Sequence, residues 1–232
     1  ADLSLGFTVA LVASALTGII AGRLIDRGWS RQLMSGSVLS GGLLILLLPL
    51  VDSLWQFYFT WALVGAAMGG CLYEPCFSYL TYTFKADAKK PIIMVTLVAG
   101  FASTISYPVA TLISNSYGWE YAIYVFSFVQ FFVTAPLFWY GASIETFGSS
   151  DRLNEPSIPV FVTFRTLTVN PIFWGLLITF TAFALNHSMI VSQIFPLLES
   201  QGLSPTQTVF FASCIGPMQV LARLILFLAE FF

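Results

Sequence analysis

The order of apolar and polar residues divides the chain into long hydrophobic stretches separated by polar connections. A helix that crosses a bilayer needs about 20 mostly apolar residues. Seven stretches meet that requirement, at approximately 5–24, 33–51, 57–80, 92–113, 121–140, 173–194 and 208–229. Because hydrocarbon offers backbone groups no external partners, we predict an all-α membrane protein with seven transmembrane helices.

The composition leads to the same class. Apolar residues make up 57% of the chain and charged residues only 9%, whereas soluble domains carry about 25% charged residues. So few charges cannot solvate the surface of a soluble enzyme of this size, and the apolar excess must face the lipid bilayer. The net charge of −2 provides no basic surface for nucleic acid.

Residues that carry covalent or metal chemistry are scarce. The chain has three cysteines and one histidine, none at metal-ligand spacing. No nucleophile signature and no phosphate-binding loop accompanies them. We therefore expect no enzyme activity, no catalytic residues, no cofactor and no metal.

The positive charges predict the orientation. Of nine Lys and Arg residues, eight fall in alternate connections, namely Arg23, Arg27, Arg31, Lys85, Lys89, Lys90, Arg152 and Arg165. Such an imbalance marks the cytoplasmic side. The long polar connection 142–170 is then a cytoplasmic linker, in which 158–169 could form an interfacial helix.

Two short motifs resemble signatures of the major facilitator superfamily. Residues 22–31, GRLIDRGWSR, are similar to the family's loop between its second and third helices. Residues 118–122, GWEYA, resemble the start of its sixth helix, with Glu120 where the family has arginine. A shift of 200 residues also aligns 3–25 with 203–225 at seven identities, which agrees with that family's six-helix repeats.

The resemblance implies an MFS-type helical bundle and a domain organisation. Residues 1–141 would be the N-terminal bundle without its first helix, 142–170 the linker, and 171–232 the start of the C-terminal bundle. The seven spans would then be family helices two to eight. The remaining helices of the same polypeptide would be its partners, so we expect a fragment of a longer permease.

Three further segments are most similar to bacterial monocarboxylate-type permeases: 72–77, 100–108 and 216–223. This implies a multi-pass inner-membrane symporter for a small solute, an organic anion such as a monocarboxylate. It would work by alternating access, coupled to protons.

Polar residues inside the spans are the candidate site. The resemblance suggests Arg223 as a carboxylate clamp, with Gln219 in the position of the family's acid. Alternatively, Arg223 is the counterpart of Arg23 in the repeat and lies at the cytoplasmic end. His187 and Asn186 are further candidate solute contacts. His187 is also a candidate proton relay. The alternative for His187 is a simple hydrogen-bonded histidine.

Glu74, an intramembrane carboxylate, is the candidate proton carrier. Alternatively, it bonds to backbone freed by Pro75, or it pairs with the cytoplasmic lysine cluster of Lys85, Lys89 and Lys90. The loop residues Gly22, Asp26, Arg27 and Arg31 form either a gating latch or solvated topology charges. Small-residue pairs predict close helix contacts at Gly18/Gly22, Gly65/Gly69 and Gly100/Thr104.

Two other functions compete with transport. A seven-helix retinal protein would need a lysine in its last helix, and all three lysines lie in one connection. A non-transporting membrane sensor or receptor built on a transporter fold agrees with the same sequence and remains the alternative.

Overall fold

The computed structural model describes residues 2–142 and 168–229. All regular structure in these ranges is helical, which confirms the predicted all-α class. The predicted interfacial helix over 158–169 lies almost entirely outside the described residues, as do Arg152 and Arg165.

The helices have the following bounds in chain order: α1 Asp2–Asp26, α2 Ser30–Leu46, α3 Leu54–Cys71, α4 Tyr73–Phe84, α5 Lys89–Gly100, α6 Ala102–Tyr117, α7 Trp119–Val129, α8 Ala135–Gly141, α9 Pro171–Ser200, α10 Pro205–Ser213 and α11 Ile215–Ala229. A π-helical segment, Gln130–Thr134, joins α7 to α8. Short 3-10 turns lie at Leu48–Leu50 and Lys85–Asp87.

Six segments of the described chain are long and apolar enough to cross a membrane, and they match six of the seven predicted spans. The prediction of one continuous helix over 57–80 is wrong. The backbone leaves the helical region at Leu72, where ψ is −155°, and this separates α3 from α4. Pro75 supplies the physical reason, since it has no N–H to bond the Cys71 carbonyl four residues earlier.

The described residues form two compact units, one of 2–142 with 209–229 and one of 168–208. In the first, α3 packs against α1 and α2. A Cβ on Gly65 would lie 2.1 Å from the Ala10 carbonyl oxygen, and one on Gly69 would lie 2.6 Å from that of Ser14. The predicted close contacts at this glycine pair are therefore confirmed. At Gly22 nothing lies within 4 Å of an added Cβ, so the close approach predicted there is wrong.

The second unit consists mainly of α9. The Asn170 side chain caps its start by accepting a hydrogen bond of 2.9 Å from the Ile172 N–H, and Pro171 opens the first turn. No residue of this helix is buried within the described structure. Its apolar surface is thus available to lipid or to other helices.

The contact between α1 and α3 predicts a difference between two Gly→Ala substitutions. Gly65→Ala should lower the free energy of unfolding by about 1–3 kcal/mol, because its methyl group would overlap main-chain atoms that cannot rotate away. Gly36→Ala is the matched control, since its methyl group would meet no atom within 4 Å. Thermal unfolding in detergent would measure both, and equal melting temperatures would contradict the packing.

Candidate functional site

Helices α5 and α6 lie against α11 and the last residue of α10 along a close contact that we call the Gly100–Gly216 seam. It consists of Thr96, Gly100, Thr104, Ser213, Gly216, Val220 and Arg223. The Thr104 hydroxyl donates to the Ser213 carbonyl over 3.2 Å. A Cβ on Gly216 would lie only 2.4 Å from the Gly100 carbonyl oxygen. The contact predicted at Gly100 and Thr104 is confirmed.

Arg223 lies at one end of this seam and is half-buried. Its Nη1 donates a hydrogen bond to the main-chain carbonyl of Thr96 on α5. Gly100 provides the room for Val220, because a Cβ there would lie 2.6 Å from Cγ2 of Val220, whereas its 3.5 Å distance from the Arg223 nitrogen would be an ordinary contact. A permanently charged side chain within the span Pro205–Ile225 thus takes a neutral backbone acceptor as its partner.

The other predicted solute contacts occupy two different helices. Gln219 is half-buried on α11, one turn before Arg223, so the two side chains share a helix face. Asn186 and His187 are exposed on α9, in the second unit. The His187 ring stacks on Phe183, with centroids 6.3 Å apart and planes inclined by 5°.

Glu74 lies in the first turn of α4, directly after the break at Leu72, and its side chain is exposed. The first N–H groups of a helix have no partner within the helix. The helix dipole therefore favours a carboxylate at this position, and α4 has no side-chain cap that would compete. The break therefore places this carboxylate at a helix N-terminus, which the prediction of a continuous span did not include.

The loop after α1 is built by a glycine turn. Gly28 has φ of 81°, and its N–H bonds the Ile25 carbonyl at 2.8 Å while the Trp29 N–H bonds Leu24 at 2.9 Å. These two bonds form a Schellman motif, which ends a helix with a left-handed residue and reverses the chain. Gly28 is therefore the residue that makes the turn.

The four predicted gating residues lie around this turn. Gly22 is half-buried, and Asp26 and Arg27 are exposed at the end of α1. Arg31, in the first turn of α2, packs its guanidinium over the Trp139 ring of α8, with Cζ 3.6 Å from the ring centroid. Arg31 Nε is buried and has no hydrogen-bond partner among the described residues. Its described contact is thus an aromatic face rather than a carboxylate.

The sequence model of the Major Facilitator Superfamily matches residues 1–229. The chain belongs to this family. It is accordingly a multi-pass membrane protein of a family that transports small solutes. Comparison with curated proteins and with solved structures gives no significant match.

Two residues that contact candidate site residues of this MFS protein, Trp139 and Thr96, could not be identified from the sequence. Trp139 carries a weak signal, because tryptophan is enriched where spans meet the membrane surface. Thr96 carries none, because its contribution is a main-chain carbonyl, which every residue possesses. Within the described residues, no group of three His, Cys, Asp or Glu side chains could hold a metal ion.

The contact between Arg31 and Trp139 can be tested by a double-mutant cycle. Trp139→Leu and Arg31→Gln should each lower the free energy of unfolding, with a coupling of about 1 kcal/mol because each removes the same cation–π pair. Trp139→Phe keeps an aromatic face and should lose less. Thermal unfolding of the MFS protein in detergent would supply the energies, and strict additivity would contradict the pair.

Proposed function

We propose that this MFS protein is a secondary active transporter of a small organic anion, related in type to bacterial monocarboxylate permeases of the inner membrane. It works by alternating access, in which two helix bundles rock around a site near the middle of the bilayer. Residues 1–141 form the first bundle, 142–170 the cytoplasmic linker, and the chain from 171 onward belongs to the second.

The observation that carries the proposal is the guanidinium of Arg223. It lies in a membrane span, and its described acceptor is a single neutral carbonyl. A guanidinium presents donors in a planar fork that matches the two oxygens of a carboxylate. Charge-assisted pairs of this kind are about twice as strong as neutral hydrogen bonds. A solute carboxylate is therefore a better partner for Arg223 than the carbonyl.

The remaining polar residues complete the proposal. Gln219, one turn away on the same face, orients the solute. Asn186 and His187 on α9 are the further proposed solute contacts. Glu74 and His187 carry the coupled proton. Glu74 suits this role because its position beside a helix break exposes a carboxylate within the predicted third span.

The loop residues Gly22, Asp26, Arg27 and Arg31 form the proposed cytoplasmic gate. The turn at Gly28 holds Asp26 and Arg27 exposed at the end of α1, where they can exchange partners as the bundles rock. Arg31 has a different part in this gate, since its contact with Trp139 ties α2 to α8.

Arg223→Lys tests the clamp. In proteoliposomes containing the full-length protein, uptake of a radiolabelled monocarboxylate should fall by about tenfold or more, because lysine is a point charge and loses the bidentate pair. Arg23→Lys is the matched control, since Arg23 is an exposed arginine at the end of α1. Unchanged uptake by the Arg223 variant would refute the clamp. Accumulation of no solute at all would favour a sensor.

Glu74→Gln tests proton coupling separately from solute binding. Exchange of labelled for unlabelled solute should persist, whereas accumulation driven by a pH gradient should be lost, because glutamine binds no proton. Glu199→Gln, at the exposed end of α9, is the control and should retain both activities. Full gradient-driven accumulation by the Glu74 variant would mean that Glu74 does not carry the coupled proton. His187 would then be the remaining candidate, and His187→Gln tests it in the same assay.

A further inference from the structure

The Gly100–Gly216 seam has three levels of contact, and they differ in chemistry. Thr104 and Ser213 share a neutral hydrogen bond at one end. Gly100 and Gly216 bring the main chains together in the middle. At the other end, the Arg223 guanidinium bonds the Thr96 carbonyl. Only this last level contains a charge, so only it can be exchanged for an ionic partner.

The charged level lies at the cytoplasmic end of the seam. The lysine cluster places the start of α5 on the cytoplasmic side. Thr96 follows Lys89 by seven residues, or about 10 Å at 1.5 Å per residue. Helix α11 runs the opposite way, since Gly216 meets Gly100 and Arg223 meets Thr96. The bond between Arg223 and Thr96 therefore closes the cytoplasmic half of this contact.

We propose that Arg223 is a latch released by the transported anion: the solute carboxylate takes the guanidinium from the Thr96 carbonyl and lets the cytoplasmic end of the seam open. This inference rests on the proposed function, because it assigns α5 and α11 to the two rocking bundles. A charged donor with one neutral acceptor is poorly compensated in a membrane. Exchange for a carboxylate is favourable, and the two neutral levels hold the opposite end closed.

The latch explains why binding and opening are coupled. A ligand shifts a conformational equilibrium only through its differential affinity for the two states. Here the closed state engages Arg223 with Thr96, so the anion binds more tightly to the state in which that bond is broken. A neutral amide analogue of the same solute lacks the charge and leaves the latch closed.

The experiment is alkylation of a cysteine introduced at position 96, in membranes containing the full-length protein. Thr96→Cys preserves the main-chain carbonyl, and the native Cys71, Cys76 and Cys214 are replaced by serine. A membrane-permeant maleimide then reports whether water reaches the cytoplasmic half of the seam. Met94→Cys, exposed on the same helix, is the matched control for the probe and should label independently of Arg223.

Adding Arg223→Gln to the Thr96→Cys variant should raise labelling at position 96 by about tenfold without solute, the population change expected when one charge-assisted hydrogen bond is lost. Arg223→Lys should give an intermediate rate, and Arg23→Gln should change nothing. A monocarboxylate should accelerate labelling with Arg223 present and have no effect in Arg223→Gln. The amide analogue should have no effect in either. Size-exclusion chromatography would verify that each variant is folded.

Two results would overturn the latch. Labelling that Arg223→Gln and Arg223→Lys both leave unchanged would mean that the bond does not hold the seam closed. A monocarboxylate that is taken up but does not accelerate labelling would mean that the anion does not release it. If no carboxylate is taken up, the proposed function fails, while the solute-free effect of Arg223→Gln still decides whether Arg223 closes the seam.

Discussion

Inside a bilayer, a polar group that leaves water must find its partner within the protein. The hydroxyls of Thr17, Thr104 and Ser213 each follow this constraint by donating to a main-chain carbonyl. Arg223 follows the same constraint, because its guanidinium donates a hydrogen bond to the Thr96 carbonyl on α5. The ionisable side chains otherwise concentrate in the connections, where water solvates them.

A second consequence is that helices in lipid associate through close packing. An apolar helix surface is as well accommodated by lipid as by another helix, so the hydrophobic effect does not drive the association. Gly65 against Ala10 and Gly216 against Gly100 are two places where a Cβ on the glycine would overlap main-chain atoms of the neighbouring helix. These contacts also set the chemistry. Gly100 leaves space for Val220, and on the same face of α11 Arg223 bonds the Thr96 carbonyl. The candidate site therefore depends on small residues that carry no reactive group.

The sequence allowed most residues of the candidate site to be named, but not the groups that each of them contacts. Arg223 and Glu74 stand out in sequence because a charge in an apolar stretch is rare. The environment of each depends on a feature without a residue-type signal. Glu74 lies at a helix N-terminus because the helix breaks at Leu72, and a proline in a span can produce a kink, a break or neither. Arg31 contacts Trp139, which is 108 positions away in the chain, and no local pattern links the two.

The sequence by itself determined the class of the protein, the course of six of its seven predicted spans and its family. The class and the spans follow from local composition, since the length of an apolar stretch and the placement of charges are properties of contiguous residues. The family follows from short motifs and from the family model that matches residues 1–229. The tertiary structure alone decided which groups meet: α3 against α1, Arg31 on Trp139, and Arg223 on the carbonyl of Thr96. Such pairings depend on how closely two backbones approach and on which carbonyls they present, and these are properties of packed helices rather than of any single segment.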